Sequence, residues 1–508
     1  MNRGYVYLVG AGPGDPGLIT VKGLECLRRA QVVIYDYLAN PELLAEAPPA
    51  AERIYVGKKK GRHHSSQDRI NALLVEKALE GRTVVRLKGG DPYIFGRGGE
   101  EALCLRERDI PFEVVPGVTS GIAAGAYAGI PLTHRDFTTT LGMITGHESP
   151  DKGVSHLDWE KFATGMGTLV FYMGLSNLPL IAEKLRLHGR SPDTPVAVVR
   201  WATLPSQQTL VSTLGKVVED VVASNIKPPA LIIVGEVVRL RERLRWFDNR
   251  PLFGKRVLNT RPPTGSAAFR ALLESRGAQV ISIPTIETVP PPSWQELDEA
   301  IGRLGEMDYL ILTSATAVNY FFERLEAAGK DVRALCGVRI VVVGPKTGES
   351  LSAQGIRPDM IPEDYRAEGV VELLRRQARA GEKALYPRAE LARDLIPKEL
   401  RALGMEVTAP LCYRTRMPEA GAQQLRSLLA EGGIDIVTFT SSSTLENLME
   451  MLGEEARRLL EGLCLCSIGP LTTQTAHRHG LAIDVEPDKS TLEAMSDALV
   501  AHFSRSSS

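Results

Sequence analysis

Two glycine-rich runs in the first hundred residues have the composition of ligand-cradling loops: Gly10-Ala11-Gly12-Pro13-Gly14-Asp15-Pro16-Gly17 and Gly89-Gly90-Asp91-Pro92. Glycine lets backbone groups approach a ligand that a Cβ would hold off. Asp36 ends an apolar run 22 residues after Gly14, near the spacing of a ribose-binding acid in a dinucleotide fold. Pro13 and Pro16 argue against that reading. They keep a helix from starting on the glycines, and a helix N-terminus is what holds pyrophosphate. The next helix is expected to begin after Thr20. The basic run Lys58-Lys59-Lys60-Gly61-Arg62-His63-His64 suits a polyanion, either a nucleic acid or a polycarboxylate. Neither His63-His64 nor His477-x-His479 has a set of metal partners, so no metal site is expected.

Short apolar runs alternate with amphipathic stretches and would carry these loops. In the first half they are Tyr5 to Val9, Val32 to Tyr35, Thr83 to Leu87, Val196 to Val199 and Leu231 to Val234. The alternation predicts βαβ units and mainly parallel sheets. A seam falls near Arg239 to Lys255, where a charged run reads as a solvated helix end. The second half repeats itself. Thr260-Arg261-Pro262 recurs in outline as Tyr386-Pro387-Arg388, and Leu312-Thr313-Ser314-Ala315-Thr316 as Phe439-Thr440-Ser441-Ser442-Ser443, both 127 residues on. Val343-Gly344-Pro345-Lys346-Thr347 recurs as Ile468-Gly469-Pro470-Leu471-Thr472 at an offset of 125. Near-constant offsets of this length indicate a duplicated α/β unit, with hydroxyls and Gly-Pro turns at strand ends, where open α/β sheets bind ligands.

Composition narrows the partners. The 508 residues are 44% hydrophobic and 24% charged with net charge -1, which excludes a disordered chain or a nucleic-acid-coating polycation. Near-neutral charge requires any charged patch to be local. Val114 to Thr133 is uncharged and spaces Gly117, Gly121, Gly125 and Gly129 by four residues, but its low hydrophobicity predicts a helix with a closely approached glycine face, not a membrane span. Phe162 to Ala182 contains Pro179 and reads as strand Thr168 to Met173, a loop and a helix. Six cysteines without C-x-x-C spacing read as reduced thiols of a cytoplasmic protein.

The first half resembles the tetrapyrrole methylase family, specifically the uroporphyrinogen-III C-methyltransferases. The carriers are Val6 through Gly17, Tyr35-Asp36, Val56-Gly57-Lys58, Val85 through Glu101, Val115-Pro116-Gly117-Val118-Thr119-Ser120 and Phe171-Tyr172-Met173-Gly174. The resemblance covers about residues 4–245 and implies two α/β lobes, about 1–114 and 115–245, with S-adenosyl-L-methionine between them and S-adenosyl-L-homocysteine as its product. It places cofactor contacts on Pro13, Gly89, Gly90, Asp91, Ile94, Thr119, Ser120, Met173, Ala202 and Ala230. It makes Asp36 the candidate proton acceptor and Lys58 a donor or anion-binding partner, and it implies a homodimer through this half. Against it stands the reading of Asp36 as a loop or helix-capping acid.

After a linker at 246–253, residues 254–508 resemble the uroporphyrinogen-III synthases through the repeated motifs and Tyr413-Arg414-Thr415. That family implies two α/β domains joined by extended linkers, here Ile283 onward and Ala409 onward. Domain one would be about 254–283 plus 416–508, with 290–409 as domain two. Tyr413 is implied as the acid that assists loss of a hydroxyl. Arg261, Thr313, Ser314, Lys346, Arg388, Ser441, Ser442 and Thr472 would hold substrate carboxylates. The strand-end hydroxyls also read as helix caps. The expected protein is thus a two-lobed methylase fold followed by a two-domain synthase fold. It would convert hydroxymethylbilane to uroporphyrinogen III and methylate that product at C2 and C7 to precorrin-2. Its partners are small tetrapyrroles, with no nucleic acid and no membrane. The alternative is a nicotinamide-dependent enzyme fused to a two-lobed binding module.

Overall fold

In the computed structural model, which describes residues 3–57, 67–146, 157–262 and 265–505, the apolar runs of the first 115 residues pair as one sheet. Its strands are β1 (Tyr5–Gly10), β2 (Val32–Tyr35), β3 (Glu52–Tyr55), β4 (Thr83–Lys88) and β5 (Phe112–Val115), in the order β3-β2-β4-β1-β5. Every pairing is parallel. Both faces of β1, β2 and β4 are covered, which is why these three read as apolar runs, whereas the edge strands β3 and β5 carry charged residues and do not. Val9, Val33, Val85 and Leu87 pack on one face with Leu27 of helix α1 (Val21–Arg28). Leu8, Ile34 and Val84 pack on the other with Leu74 of α2 (Gln67–Leu79) and Leu105 of α3 (Gly98–Arg106). Helix α1 starts after Thr20 as expected, with the Thr20 hydroxyl accepting from Gly23 N–H at 3.1 Å, but a short 3-10 turn, Pro16–Leu18, does open inside the glycine run, since proline suits a first helical position.

The second sheet departs from expectation. Strands β6 (Leu141–Thr145), β7 (Thr168–Tyr172), β8 (Pro195–Arg200), β9 (Gln208–Thr213) and β10 (Ala230–Val234) run in the order β6-β7-β10-β8-β9. Only β6–β7 is a parallel pair; β10 is antiparallel to both β7 and β8, and β8 to β9. For β8 and β9 the reason lies in the connection. Only a short loop joins β8 to β9, too short for the crossover that a parallel pair requires. Helix α4 (Ser120–Ala128) packs Ala124 and Ala128 against this sheet. Its glycine face is closely approached, as the spacing predicts: a Cβ at Gly121 would stand 2.2 Å from the Tyr172 hydroxyl. The charged run after Arg239 is not wholly solvated. Arg241 is buried, pairs with Asp248 and donates to the Ala128 carbonyl at 2.5 Å. Phe247 and Leu252, in the stretch read as a linker, are buried as well.

Contacts divide the chain into two units, one formed mainly by residues up to Lys255, the other by Arg256–Leu272 with Val280–His502. In the latter, β11 (Arg256–Asn259), β12 (Gln279–Ser282), β20 (Ile436–Phe439) and β21 (Cys464–Ser467) form the sheet β12-β11-β20-β21. Strands β14 (Tyr309–Leu312), β15 (Arg339–Val342), β16 (Lys383–Leu385) and β18 (Glu406–Thr408) form β15-β14-β16-β18, all parallel. A third sheet joins the extended segments: β13 (Glu287–Val289) pairs antiparallel with β19 (Leu411–Arg416), and β17 (Arg388–Ala389) lies parallel on the other side of β19. The sequence repeat is a repeat of strand, turn and helix. Ser314 caps helix Ala315–Ala327 after β14, as Ser441 caps Ser442–Leu452 after β20. Gly344-Pro345 and Gly469-Pro470 each open a helix with proline in its first turn. Among the described residues no helix is long and apolar enough to cross a membrane.

Candidate functional sites

At the carboxyl ends of adjacent strands β1 and β4 the two glycine runs bond to each other. Ala11 N–H donates to the Lys88 carbonyl (2.7 Å), Gly90 N–H to Gly12 (2.7 Å) and Gly12 N–H to Gly90 (3.2 Å). Gly117 packs on both runs; a Cβ there would lie 2.3 Å from the Gly90 oxygen. Asp91 ties this floor together. Its Oδ2 accepts from Gly117 N–H (3.0 Å), and its Oδ1 from the N–H groups of Tyr93 (2.8 Å) and Ile94 (3.1 Å). The carboxylate therefore shapes the loop, a role the motif alone does not reveal, and Oδ2 retains capacity for a further donor.

The second lobe supplies the opposite wall. Thr119, just before α4, shares a 3.0 Å hydrogen bond with the Tyr172 hydroxyl, which also accepts from Gly121 N–H at 3.0 Å. Ser120 opens α4. Met173 follows Tyr172 at φ 54° and is 53% exposed. Ala202 follows β8, and Ala230 opens β10 opposite Arg200, so the two alanines come from neighbouring strand ends. Contacts cross between the lobes beside these residues. Phe95 meets Tyr172 (ring centroids 4.9 Å apart), Tyr37 meets Trp201 (5.8 Å), and Asp15 bonds Thr203 Oγ1 through its N–H and the Tyr127 hydroxyl through its carboxylate (both 2.9 Å). Burial and the Asp15 carboxylate push the Tyr127 phenol up to about 12. Of the seven non-glycine residues with positive φ among the described residues, Phe95, Arg97, Met173, Trp201 and Thr203 sit in these segments. Five left-handed residues in neighbouring segments make these loops locally constrained.

Asp36 stands at the end of β2, and its surroundings escape motif reading. Its Oδ1 accepts from Leu38 N–H (3.0 Å) and its Oδ2 from Arg86 Nη2 (2.8 Å). Arg86 is 3% exposed and reaches back through Nε to Glu101 Oε1 (3.2 Å); Lys88, 4% exposed, donates to the same oxygen at 2.8 Å. Glu101 is fully buried on α3, and Gln67 also donates to it (3.3 Å). Desolvation, with Arg86 beside it, holds the Lys88 ammonium below its ordinary range despite the opposing pull of Glu101. The signal in the sequence is Arg86 and Lys88 at alternate positions of a buried strand, hence on one face. Lys58, His63, His64 and the rest of that basic run lie outside the described residues.

In the second unit Tyr413 projects from β19 toward helix Ala315–Ala327. Its hydroxyl lies 3.1 Å from Ser314 Oγ, which also accepts from Ala317 N–H (3.0 Å), and its ring stacks on Tyr320 (6.0 Å, 13°). Burial raises the Tyr413 phenol, and the Ser314 hydrogen bond opposes this. Thr313 Oγ1 lies 3.5 Å from the Tyr386 hydroxyl. Tyr320 and Tyr386 join the predicted site residues here. Arg388 is engaged with Asp394 (2.9 Å) and the Ala392 carbonyl (3.3 Å). The other half of the repeat holds Ser441 in a capping box with Thr444, Ser442 bonded to the Leu471 carbonyl (3.3 Å), and buried Thr472. Arg261 donates to the Gly265 carbonyl (3.2 Å), and burial lowers its guanidinium. Lys346 is exposed in the first turn of its helix. Among the described residues, no hydrogen bond joins the Tyr413 group to the Ser441 group.

Comparison with known proteins covers both units. The family model described as Tetrapyrrole (Corrin/Porphyrin) Methylases matches residues 5–218, and that described as Uroporphyrinogen-III synthase HemD matches 267–497. The Porphyrin biosynthesis protein HemD of Ruminiclostridium josui is 39% identical over 500 residues, 98% of each chain. A Uroporphyrinogen-III C-methyltransferase of Bacillus subtilis (strain 168) is 48% identical over 246 residues, 48% of this chain and 95% of its own. A solved uroporphyrin-III C-methyl transferase from Thermus thermophilus, complexed with S-adenyl homocysteine, is 44% identical over 47% of this chain and 100% of its own, with a TM-score of 0.40. The chain belongs to the tetrapyrrole methylases through its N-terminal half and to the uroporphyrinogen-III synthases through its C-terminal half.

Proposed function

We propose that the chain is a bifunctional enzyme of tetrapyrrole biosynthesis. Its C-terminal unit cyclises hydroxymethylbilane with D-ring inversion to uroporphyrinogen III, and its N-terminal unit methylates that product at C2 and C7 to give precorrin-2. The observation that carries the methylase reading is the glycine floor at the ends of β1 and β4, with strained Met173 and Trp201 beside the contacts that cross from the second lobe. A floor without Cβ atoms, an acceptor at Asp91 and an exposed apolar Met173 fit a ligand with a charged amino-acid end and a flat base. Gly89, Gly90 and Asp91 would hold the amino-acid end, Met173, Ala202 and Ala230 the base, and Pro13, Ile94, Thr119 and Ser120 the remainder. S-adenosyl-L-methionine supplies an electrophilic sulfonium methyl and leaves as S-adenosyl-L-homocysteine.

This chain's residues then have two tasks. They hold an electron-rich pyrrole carbon in line with the methyl. They also take the proton that the methylated, cationic ring releases, for which Asp36 is the acceptor and Lys58 the partner for substrate carboxylates. In the synthase unit Tyr413 donates to the departing hydroxyl of the bilane, with Ser314 orienting it. Thr313, Ser441, Ser442, Thr472, Arg261, Lys346 and Arg388 hold side-chain carboxylates. We assign methylation to residues 1–245 and ring closure to 254–508. We further propose a homodimer through the methylase half, and a cytoplasmic location on the ground that all six cysteines are free thiols. The test is product identity from the whole chain given hydroxymethylbilane, with and without S-adenosyl-L-methionine. Uroporphyrinogen III without the methyl donor and precorrin-2 with it are the expected products; uroporphyrinogen I alone, or binding of a nicotinamide dinucleotide in place of the methyl donor, would overturn the assignment.

A further inference from the structure

We infer that Arg86 is a positioning residue for the methylation step, holding the Asp36 carboxylate from beneath, and that Glu101 and Lys88 hold Arg86 in turn. The inference rests on the reading of Asp36 as proton acceptor. All three guanidinium nitrogens are committed: Nε to Glu101, Nη1 to the carbonyls of Ile34 (3.4 Å) and Leu87 (3.1 Å), and Nη2 to Asp36. Asp36 is consequently pinned at both oxygens, one by Leu38 N–H and one by Arg86, while its side chain stays 26% accessible. The arrangement suits a base whose task is orientation. A pyrroleninium-type cation is a strong acid, so a weak base in the right place suffices and a stronger base in the wrong place does not. The planar fork matters because it spans two carboxylates on different elements, β2 and α3, which a single ammonium cannot do. Lys88 donates to the same oxygen of the fully buried Glu101 and so fixes the carboxylate that holds Arg86.

The test uses the full chain and compares Arg86→Lys, Asp36→Asn and the double variant. Arg86→Lys keeps a cation beside Glu101 but gives up the reach to Asp36. Methylation kcat is expected to fall about 10- to 100-fold, as for a displaced reacting group. KM for uroporphyrinogen III and for S-adenosyl-L-methionine is expected to stay within about twofold, since neither binding surface changes. In the double variant, Arg86→Lys should add nothing to the loss caused by Asp36→Asn. S-adenosyl-L-methionine affinity and the thermal midpoint report whether the variants are folded; a purely structural Arg86 would lower the midpoint and leave kcat of the folded fraction unchanged, which would overturn the inference. Normal turnover in Arg86→Lys alongside a slow Asp36→Asn would overturn the inference alone. Normal turnover in Asp36→Asn would remove the proton-acceptor reading and this inference with it.

Discussion

The two units treat charge in opposite ways around the groups proposed to react. Beneath Asp36 the methylase lobe buries two cations and a glutamate with almost no access to water, whereas Tyr413 sits among neutral hydroxyls and stacked rings. The difference follows the chemistry proposed for each. A proton leaving a cationic ring calls for an anion fixed in place, and buried counter-charges fix it. A hydroxyl leaving a bilane calls for a donor that is itself protonated, and burial keeps a phenol so. The methylase arrangement costs desolvation that only its partners offset, so it should be the more brittle of the two.

That contrast can be broken at several points. The largest expected effect is catalytic: Asp36→Asn should slow methylation by about 10²- to 10⁴-fold, the range of a lost general base, and leave ring closure intact. Equal loss in both assays would erase the distinction between the units. Next, Glu101→Gln should cost the methylase unit about 3–5 kcal/mol, because two buried cations lose their shared anion. Tyr413→Phe should cost its unit only about 1 kcal/mol, the worth of one neutral hydrogen bond, while slowing closure by about 10²-fold. Urea unfolding with paired rate assays reads both, and comparable stability losses would contradict the comparison. Within the repeat, Ser314→Ala and Ser441→Ala should each lose a helix cap worth about 1 kcal/mol. The first should act on the kcat of closure by freeing Tyr413, and the second on KM. The last effect appears only at high pH. Tyr127 titrates at about 12 in the fold and near 10 when unfolded. The raised value contributes stability that is complete below pH 10 and is lost as pH rises toward 12. Tyr127→Phe should abolish that part of the alkaline slope in the methylase unit's melting.

Local features were legible in the sequence. The prolines of the Gly10–Gly17 run kept the first α-helix back to Thr20, and the 127-residue offset located two strand–turn–helix units with matching serine caps. Both depend on residues a few positions apart. The order of β10 between β7 and β8 was not legible, because apolar periodicity marks a strand without giving its direction. The charge network under Asp36 was hidden for a related reason: Asp36, Arg86 and Glu101 lie 50 and 15 residues apart and meet only once β2, β4 and α3 are packed. Tyr320 gave no motif, since its part in the Tyr413 site is a stacking contact set by helix register.

The pairing of β13 with β19 has a consequence for how the synthase half is assembled as a gene product. Glu287 faces Arg416 and Val289 faces Arg414, so the chain leaves for the lobe containing β14, β15, β16 and β18 and returns from it at one place, across a gap of about 5 Å. An insertion whose two ends are neighbours is a cassette. Replacing the residues between Val289 and Arg414 with a two-residue hairpin turn would leave β11, β12, β20 and β21 on their own connections, and a foreign domain with adjacent termini would fit the same socket.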